Sequence, residues 1–91
     1  MNNSMRIVTE QKVSTSTSSA ASAAFGSNIE YIRLVSDTAC WITFGTAPTA
    51  TNAKTYLPAG EVEYFKVSEG EKVAIILASG SGAAYIAELS E

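Results

Sequence analysis

The chain has 91 residues, of which 46% are apolar and 16% are charged, and its net charge is −3. This length corresponds to one domain, near the lower size limit for a self-sufficient hydrophobic core. The six cations are scattered and form no basic stripe, which argues against direct nucleic-acid binding, and the mild acidity argues against docking on an anionic membrane. Cys40 is the only cysteine, so an intramolecular disulfide is excluded and synthesis in a reducing cytoplasm is expected.

The first 28 residues differ in composition from the rest of the chain. Ser14 to Ala24 (STSTSSAASAA) is low in complexity and lacks large apolar side chains. Such a segment cannot bury enough surface to offset its ordering entropy unaided. Two interpretations stay open, a flexible tail and an extended arm that orders against a neighbouring subunit. We therefore predict an N-terminal arm over residues 1–28 and a β-sandwich domain over residues 29–91.

Beyond residue 28 the sequence alternates between short strand-like runs and turns. The runs are residues 29–36, 39–45, 55–57, 62–67, 72–79 and 83–89. Their spacing of about ten residues, without a helical period, predicts an all-β fold, either a small antiparallel β-sandwich or a jelly roll. The turn Ser68-Glu69-Gly70-Glu71 predicts that residues 62–67 and 72–79 form a hairpin.

Several of these runs are apolar on both faces. Val73 and Ile75 point to one side of their strand, while Ala74 and Ile76 point to the other. A two-sheet sandwich buries only one face of each sheet, so the second face needs cover from the N-terminal segment, a loop or another subunit. This pattern favours a homo-oligomer, a dimer or a trimer.

The residues that usually carry catalysis are missing or isolated. The chain has no histidine, and therefore no histidine base, no Ser-His-Asp triad and no imidazole ligand for a metal. Cys40 alone cannot complete a zinc site. Glu61 and Glu63 share one strand face and are read as solvated charges at a strand edge. We expect no enzymatic activity, no cofactor and no metal site.

Four aromatic residues form the candidate interface, namely Tyr31, Trp41, Tyr64 and Phe65. Trp41 points away from the face formed by Cys40 and Ile42. With Tyr31 on a neighbouring strand, it would anchor a protein interface or form a stacking platform for a sugar. The alternative is that Trp41 packs under a loop or under the N-terminal arm.

Three motifs carry a resemblance to a known class of proteins. They are W-I-x-F-G-x-x-P-T-A-T at Trp41–Thr51, L-P-A-G-x-x-E-Y-F-x-V at Leu57–Val67 and G-x-K-V-A-x-I at Gly70–Ile76. Together, over residues 29–89, they resemble small virion structural proteins of tailed bacteriophages, of the capsid decoration or cement type. The resemblance implies a small β-sandwich or jelly roll and transfers no catalytic residue.

The resemblance also implies a function. It implies a protein that binds the major capsid protein of the same phage, stabilises the assembled head and resides on the capsid surface after assembly in the bacterial cytoplasm. A neck, tail or fibre-anchoring component of the virion is the alternative within the same class. A small carbohydrate-binding β-sandwich that uses Trp41 and Tyr31 is the alternative of another class. In a decoration protein we expect deletion of residues 1–24 to leave the domain folded and to weaken attachment.

Overall fold

The computed structural model describes residues 6–90, and within them the chain forms eight β-strands in two antiparallel four-stranded sheets. The strands are β1 (Arg6–Thr15), β2 (Ala20–Ala21), β3 (Tyr31–Ser36), β4 (Cys40–Gly45), β5 (Thr55–Leu57), β6 (Glu63–Lys66), β7 (Lys72–Leu77) and β8 (Gly82–Ser90). Sheet A has the order β1-β8-β3-β6, and sheet B has the order β2-β7-β4-β5. The predicted all-β antiparallel fold is confirmed.

The strands pair in a nested order from the ends of the chain inwards. β1 pairs with β8, β2 with β7, β3 with β6 and β4 with β5. Two further pairings, β3 with β8 and β4 with β7, join these ribbons into the two sheets. A long antiparallel ribbon rolled into two four-stranded sheets is the topology of a jelly roll. Of the two predicted architectures, the strand order therefore specifies the jelly roll.

The hydrophobic core lies between the sheets, as the alternation in the sequence predicts. In β3, Ile32 and Leu34 are fully buried, while Tyr31, Arg33 and Val35 are partly exposed. The largest fully buried side chains come from both sheets and from the segment before β3, and they include Phe25, Ile32, Leu34, Ile42, Ile75, Ile86 and Val73. Each sheet thus contributes one apolar face and leaves the other outside.

Much of the segment assigned to an arm is built into the sandwich. Residues 6–15 form β1 at the edge of sheet A, and residues 20–21 pair with β7 in sheet B. Phe25 is 2% exposed and belongs to the hydrophobic core. The segment orders against strands of its own chain. Backbone hydrogen bonds and the burial of one large aromatic side chain supply the stabilisation that its small side chains cannot. Residues 1–5 of the predicted arm lie outside the described residues.

A buried carboxylate fastens this segment to sheet A. Glu88 is 4% exposed, and its carboxylate accepts hydrogen bonds from Gln11 Nε2 at 3.1 Å and from the Gly26 backbone N–H at 2.9 Å. The side-chain carbonyl of Gln11 accepts a third hydrogen bond from the Ala23 N–H at 2.9 Å. Hydrogen bonds to an ionised acceptor are stronger than neutral ones, so this network holds the crossing between the sheets in one position.

The predicted hairpin of residues 62–67 and 72–79 is wrong. β6 belongs to sheet A and pairs with β3, whereas β7 belongs to sheet B. The turn between them is tight, with Gly70 at a φ of 87°. The turn forms two backbone hydrogen bonds with Phe25. The Gly70 N–H donates to the Phe25 carbonyl at 2.9 Å, and the Phe25 N–H donates to the Glu71 carbonyl at 2.8 Å. The residues of this turn correctly predict that the chain changes direction there. They do not determine whether the strands before and after the turn pair with each other.

A second turn, between β3 and β4, is tied to the start of β8. The Asp37 carboxylate accepts from the Ala83 N–H at 3.0 Å and from the Thr38 hydroxyl at 2.9 Å. These two hydrogen bonds, the Ala83 one first, hold the pKa of Asp37 below its ordinary value of 3.8. Gly82 leaves the room for this arrangement, since a Cβ there would lie 2.5 Å from Asp37 Oδ1.

Replacing Phe25 tests whether the N-terminal segment is part of the folded unit. Phe25→Ala should lower the free energy of unfolding by about 3–5 kcal/mol, the usual cost of removing a buried phenyl ring. Urea denaturation followed by the fluorescence of Trp41 measures this change. Tyr64→Ala, which removes a side chain that is 58% exposed, serves as the control and should stay within about 0.5 kcal/mol. Equal effects of the two substitutions would contradict the assignment.

The same reasoning reverses the expectation for the truncated chain. Deletion of residues 1–24 removes β1 and β2, and with them the pairing partners at one edge of each sheet. We expect the shortened chain to lose cooperative unfolding. Without β1 and β2, the edges of β8 and β7 and the core residues beside them become exposed to water. A sharp denaturation transition in the truncated protein would instead show that residues 25–91 fold alone.

The Asp37 hydrogen bonds predict a pH dependence of stability. A carboxylate whose pKa is lower in the folded state stabilises the fold above the unfolded pKa and loses that contribution as the pH falls through the folded pKa. The difference in unfolding free energy between the wild type and Asp37→Asn should therefore shrink as the pH is lowered below 3.8. Gly82→Ala, whose methyl group would displace the carboxylate, should behave in the same way. A difference that is constant with pH would refute this role.

Candidate functional site

The sandwich presents two outer surfaces, and the four predicted interface residues are divided among three places. Tyr31 and Tyr64 lie on the outer face of sheet A. Trp41 lies on the outer face of sheet B. Phe65 is opposite the fully buried Ile32 and packs against the core, with its ring centroid 5.1 Å from that of Phe44.

The outer face of sheet A is built from three rows of residues that cross its strands. Residues directly opposite one another in an antiparallel pair point to the same face. The first row is Ile7, Leu89, Tyr31 and Lys66, the second is Glu10, Ala87, Arg33 and Tyr64, and the third is Lys12, Tyr85 and Val35. Tyrosine and aliphatic side chains thus make up most of these three rows, in which four side chains are charged, and Arg33 lies in the middle row.

This face stands open to solvent within the described part of the chain. Tyr64 is 58% exposed, and Ile7 and Tyr85 are also among the exposed large apolar residues. The Lys12 ammonium lies 5.9 Å from the centre of the Tyr85 ring, within reach of a cation–π contact. Leu89 and Ala87 are buried although they share this face, since larger residues of β1 and β3 flank them. Tyrosine and arginine side chains beside the buried Leu89 and Ala87 have the composition that is typical of a protein interface.

The outer face of sheet B is organised around Trp41. Trp41 is opposite Ile76 on β7 and opposite Tyr56 on β5. The Trp41 and Tyr56 rings are 5.7 Å apart between centroids and inclined by 58°, the tilted geometry that aromatic pairs favour. The loop of residues 46–54 runs beside this row, and its Ala50 is buried. Trp41 is therefore half-buried beside a loop, a position close to the predicted alternative in which it packs under a loop or under the N-terminal arm.

The predicted pair of Trp41 and Tyr31 is not formed. β3 and β4 follow one another in the sequence but lie in different sheets, so the two side chains point outwards from opposite sides of the sandwich. Tyr56 takes the place expected for Tyr31, and the sequence analysis did not single it out. Its alternation with the buried Leu57 indicates an outward position, but only the β4–β5 register brings it opposite Trp41.

Across residues 6–90, no group of three or more His, Cys, Asp or Glu side chains is placed to hold a metal ion. Burial raises the pKa of the Cys40 thiol, which points into the core, although a hydrogen bond with Ser36 opposes this shift. No helix among the same residues is long and apolar enough to cross a bilayer.

Comparisons with family models, with curated proteins and with solved structures find no match for this chain. The resemblance to virion structural proteins therefore stays a prediction. The function has to be argued from the chemistry of the two outer faces.

Removing the Tyr56 ring tests the organisation of sheet B. Tyr56→Ser should shift the fluorescence emission of Trp41 to longer wavelength, because the indole loses an apolar neighbour and gains contact with water. Tyr64→Ser is a matched control, since Tyr56 is 54% and Tyr64 58% exposed and they lie on opposite faces. Unchanged emission in Tyr56→Ser, or an equal shift in the control, would contradict the observed packing.

Proposed function

We propose that this protein is a bacteriophage virion structural protein, a capsid decoration protein that binds the major capsid protein and stabilises the assembled head. The observation that supports the proposal most directly is that Tyr31, Tyr64 and Tyr85 lie around Arg33 on the outer face of sheet A. The resemblance in the three sequence motifs supplies the phage context, and the jelly-roll topology is one that viral capsid proteins also use.

The size of this face limits what one copy can do. Four strands spaced by about 4.8 Å and three rows spaced by about 6.8 Å give a patch of roughly 20 Å by 20 Å. That is on the order of 400 Å², about half of what each partner contributes to a standard protein interface. A single copy should therefore bind weakly to moderately through this face alone.

Oligomerisation would compensate for the small patch. A homo-oligomer, which the sequence predicts as a dimer or a trimer, would present two or three such faces together. Once one face is bound, the next binds as an intramolecular event at high effective concentration. Ligands that bind only the assembled head stabilise it by mass action, and this is the physical basis of a cement role.

Attachment to particles tests the proposal. Purified heads that lack the protein are incubated with the recombinant chain and sedimented, and the bound protein is quantified. The double variant Tyr64→Ser/Arg33→Ser should lower occupancy at least about tenfold, because a buried tyrosine and arginine are typical anchors of interface energy. Tyr56→Ser, on the opposite face, should bind as the wild type does. Equal binding of all three proteins would exclude the outer face of sheet A as the attachment surface.

The copy number in the virion separates the two structural alternatives. A decoration protein should be present in proportion to the capsid subunits, whereas a neck, tail or fibre-anchoring component should be present in a small symmetric ring. Quantitative mass spectrometry of purified particles gives this ratio, and sedimentation equilibrium of the free protein gives the mass of the oligomer. Absence of the protein from purified particles would reject both alternatives.

A further inference from the structure

The Trp41 groove, on the outer side of sheet B, is a second site that the proposed attachment surface does not use. Its floor is formed by Trp41 and Ile76. Residues 50–52 line one side, and Thr17 and Ala78 line the other. The groove is open to solvent and has a volume of about 410 Å³, within the range of about 300–1,000 Å³ that is common for small-molecule sites.

Hydrogen bonds hold both walls of the Trp41 groove in place. The Ala50 N–H donates to Ser19 Oγ at 2.8 Å, which ties the loop to the segment after β1. The Leu77 N–H donates to the Ser16 carbonyl at 2.8 Å, which fixes that segment beside β7. Tyr56 packs against the indole and limits its rotation. A site organised before the ligand arrives loses less entropy on binding.

The residues that line the groove define the chemistry of its ligand. None of them is charged, although the chain carries fifteen charged side chains, so the site favours a neutral molecule. The indole of Trp41 and the side chain of Ile76 offer an apolar floor. The exposed side chains of Thr17, Thr51 and Asn52 offer two hydroxyls and one carboxamide, each able to donate and to accept hydrogen bonds.

We propose that the Trp41 groove binds a neutral saccharide, a mono- or disaccharide unit, with the apolar face of one pyranose ring against Trp41. A pyranose has one face of C–H groups and a rim of hydroxyls, which matches an aromatic floor bordered by hydroxyl and amide groups. A neutral aliphatic ligand would leave the polar rim unpaired, and an anionic one would find no cation in the lining. The groove is on the opposite side of the sandwich from sheet A's outer face, so both surfaces can be occupied together.

A titration of the full-length ¹⁵N-labelled protein tests the proposal. The probes are glucose, galactose, mannose, N-acetylglucosamine, maltose and lactose. At least one of them should cause saturable chemical-shift changes of the Trp41 indole N–H and of the amides of residues 50–52, with a Kd in the millimolar range. Asn52→Ala, an exposed substitution outside the strands, should weaken that Kd about tenfold. Tyr64→Ser, on sheet A, should leave it unchanged.

Three results would overturn the saccharide site. They are the lack of saturable shifts at these residues with all six probes, an unchanged Kd in Asn52→Ala, and tighter binding of glucuronate than of glucose. The outcome is independent of the attachment surface. Asn52→Ala should sediment with phage heads as the wild type does, so failure of one proposal leaves the other testable.

Discussion

Pairing between strands that lie far apart in the sequence is the constraint on which this fold depends. β1 and β8, the first and last strands, run side by side along the whole of Arg6–Thr15, and β2 and β7 continue the same ribbon in the other sheet. Among the eight strands of the described residues, only β4 and β5 are both consecutive in the sequence and paired. The chain must therefore close its longest loop before its outermost ribbon forms, which costs entropy and slows folding. The Glu88 network and Phe25 stabilise this closure where the chain crosses between the sheets.

The sequence analysis predicted most strands correctly, but it did not predict which strands pair with one another. Alternation is a local property, so the buried positions of β3 could be read directly from its side chains. Pairing is not local. The turn at residues 68–71 has glycine where a reversal needs it, yet the chain passes there from one sheet to the other. The same limit explains why Tyr31 was paired with Trp41, because neighbours in sequence were taken for neighbours in space.

The structure also narrows the predicted need for a partner. Apolar residues occur on both faces of several strands, and the sequence could not say which of them remain uncovered. On sheet B, the loop of residues 46–54 and the segment after β1 flank Trp41 and Ile76. On sheet A, Tyr64, Tyr85 and Ile7 stay exposed. Tyr56 stays exposed on sheet B as well, so the loop covers that face only in part. More large apolar side chains remain exposed on sheet A, and the predicted partner would cover that face first.

The two outer faces also differ in their electrostatics, which gives them different responses to salt. The outer face of sheet A carries Arg33, Lys12, Lys66 and Glu10 among its tyrosines, so its association with an acidic surface should weaken and slow as ionic strength rises. The lining of the Trp41 groove carries no charge, and binding there should be nearly insensitive to salt. Because the faces lie on opposite sides of one rigid core, each can be changed without disturbing the other. The attachment proposed for sheet A and the ligand binding proposed for the Trp41 groove can therefore be separated by substitutions on one face at a time.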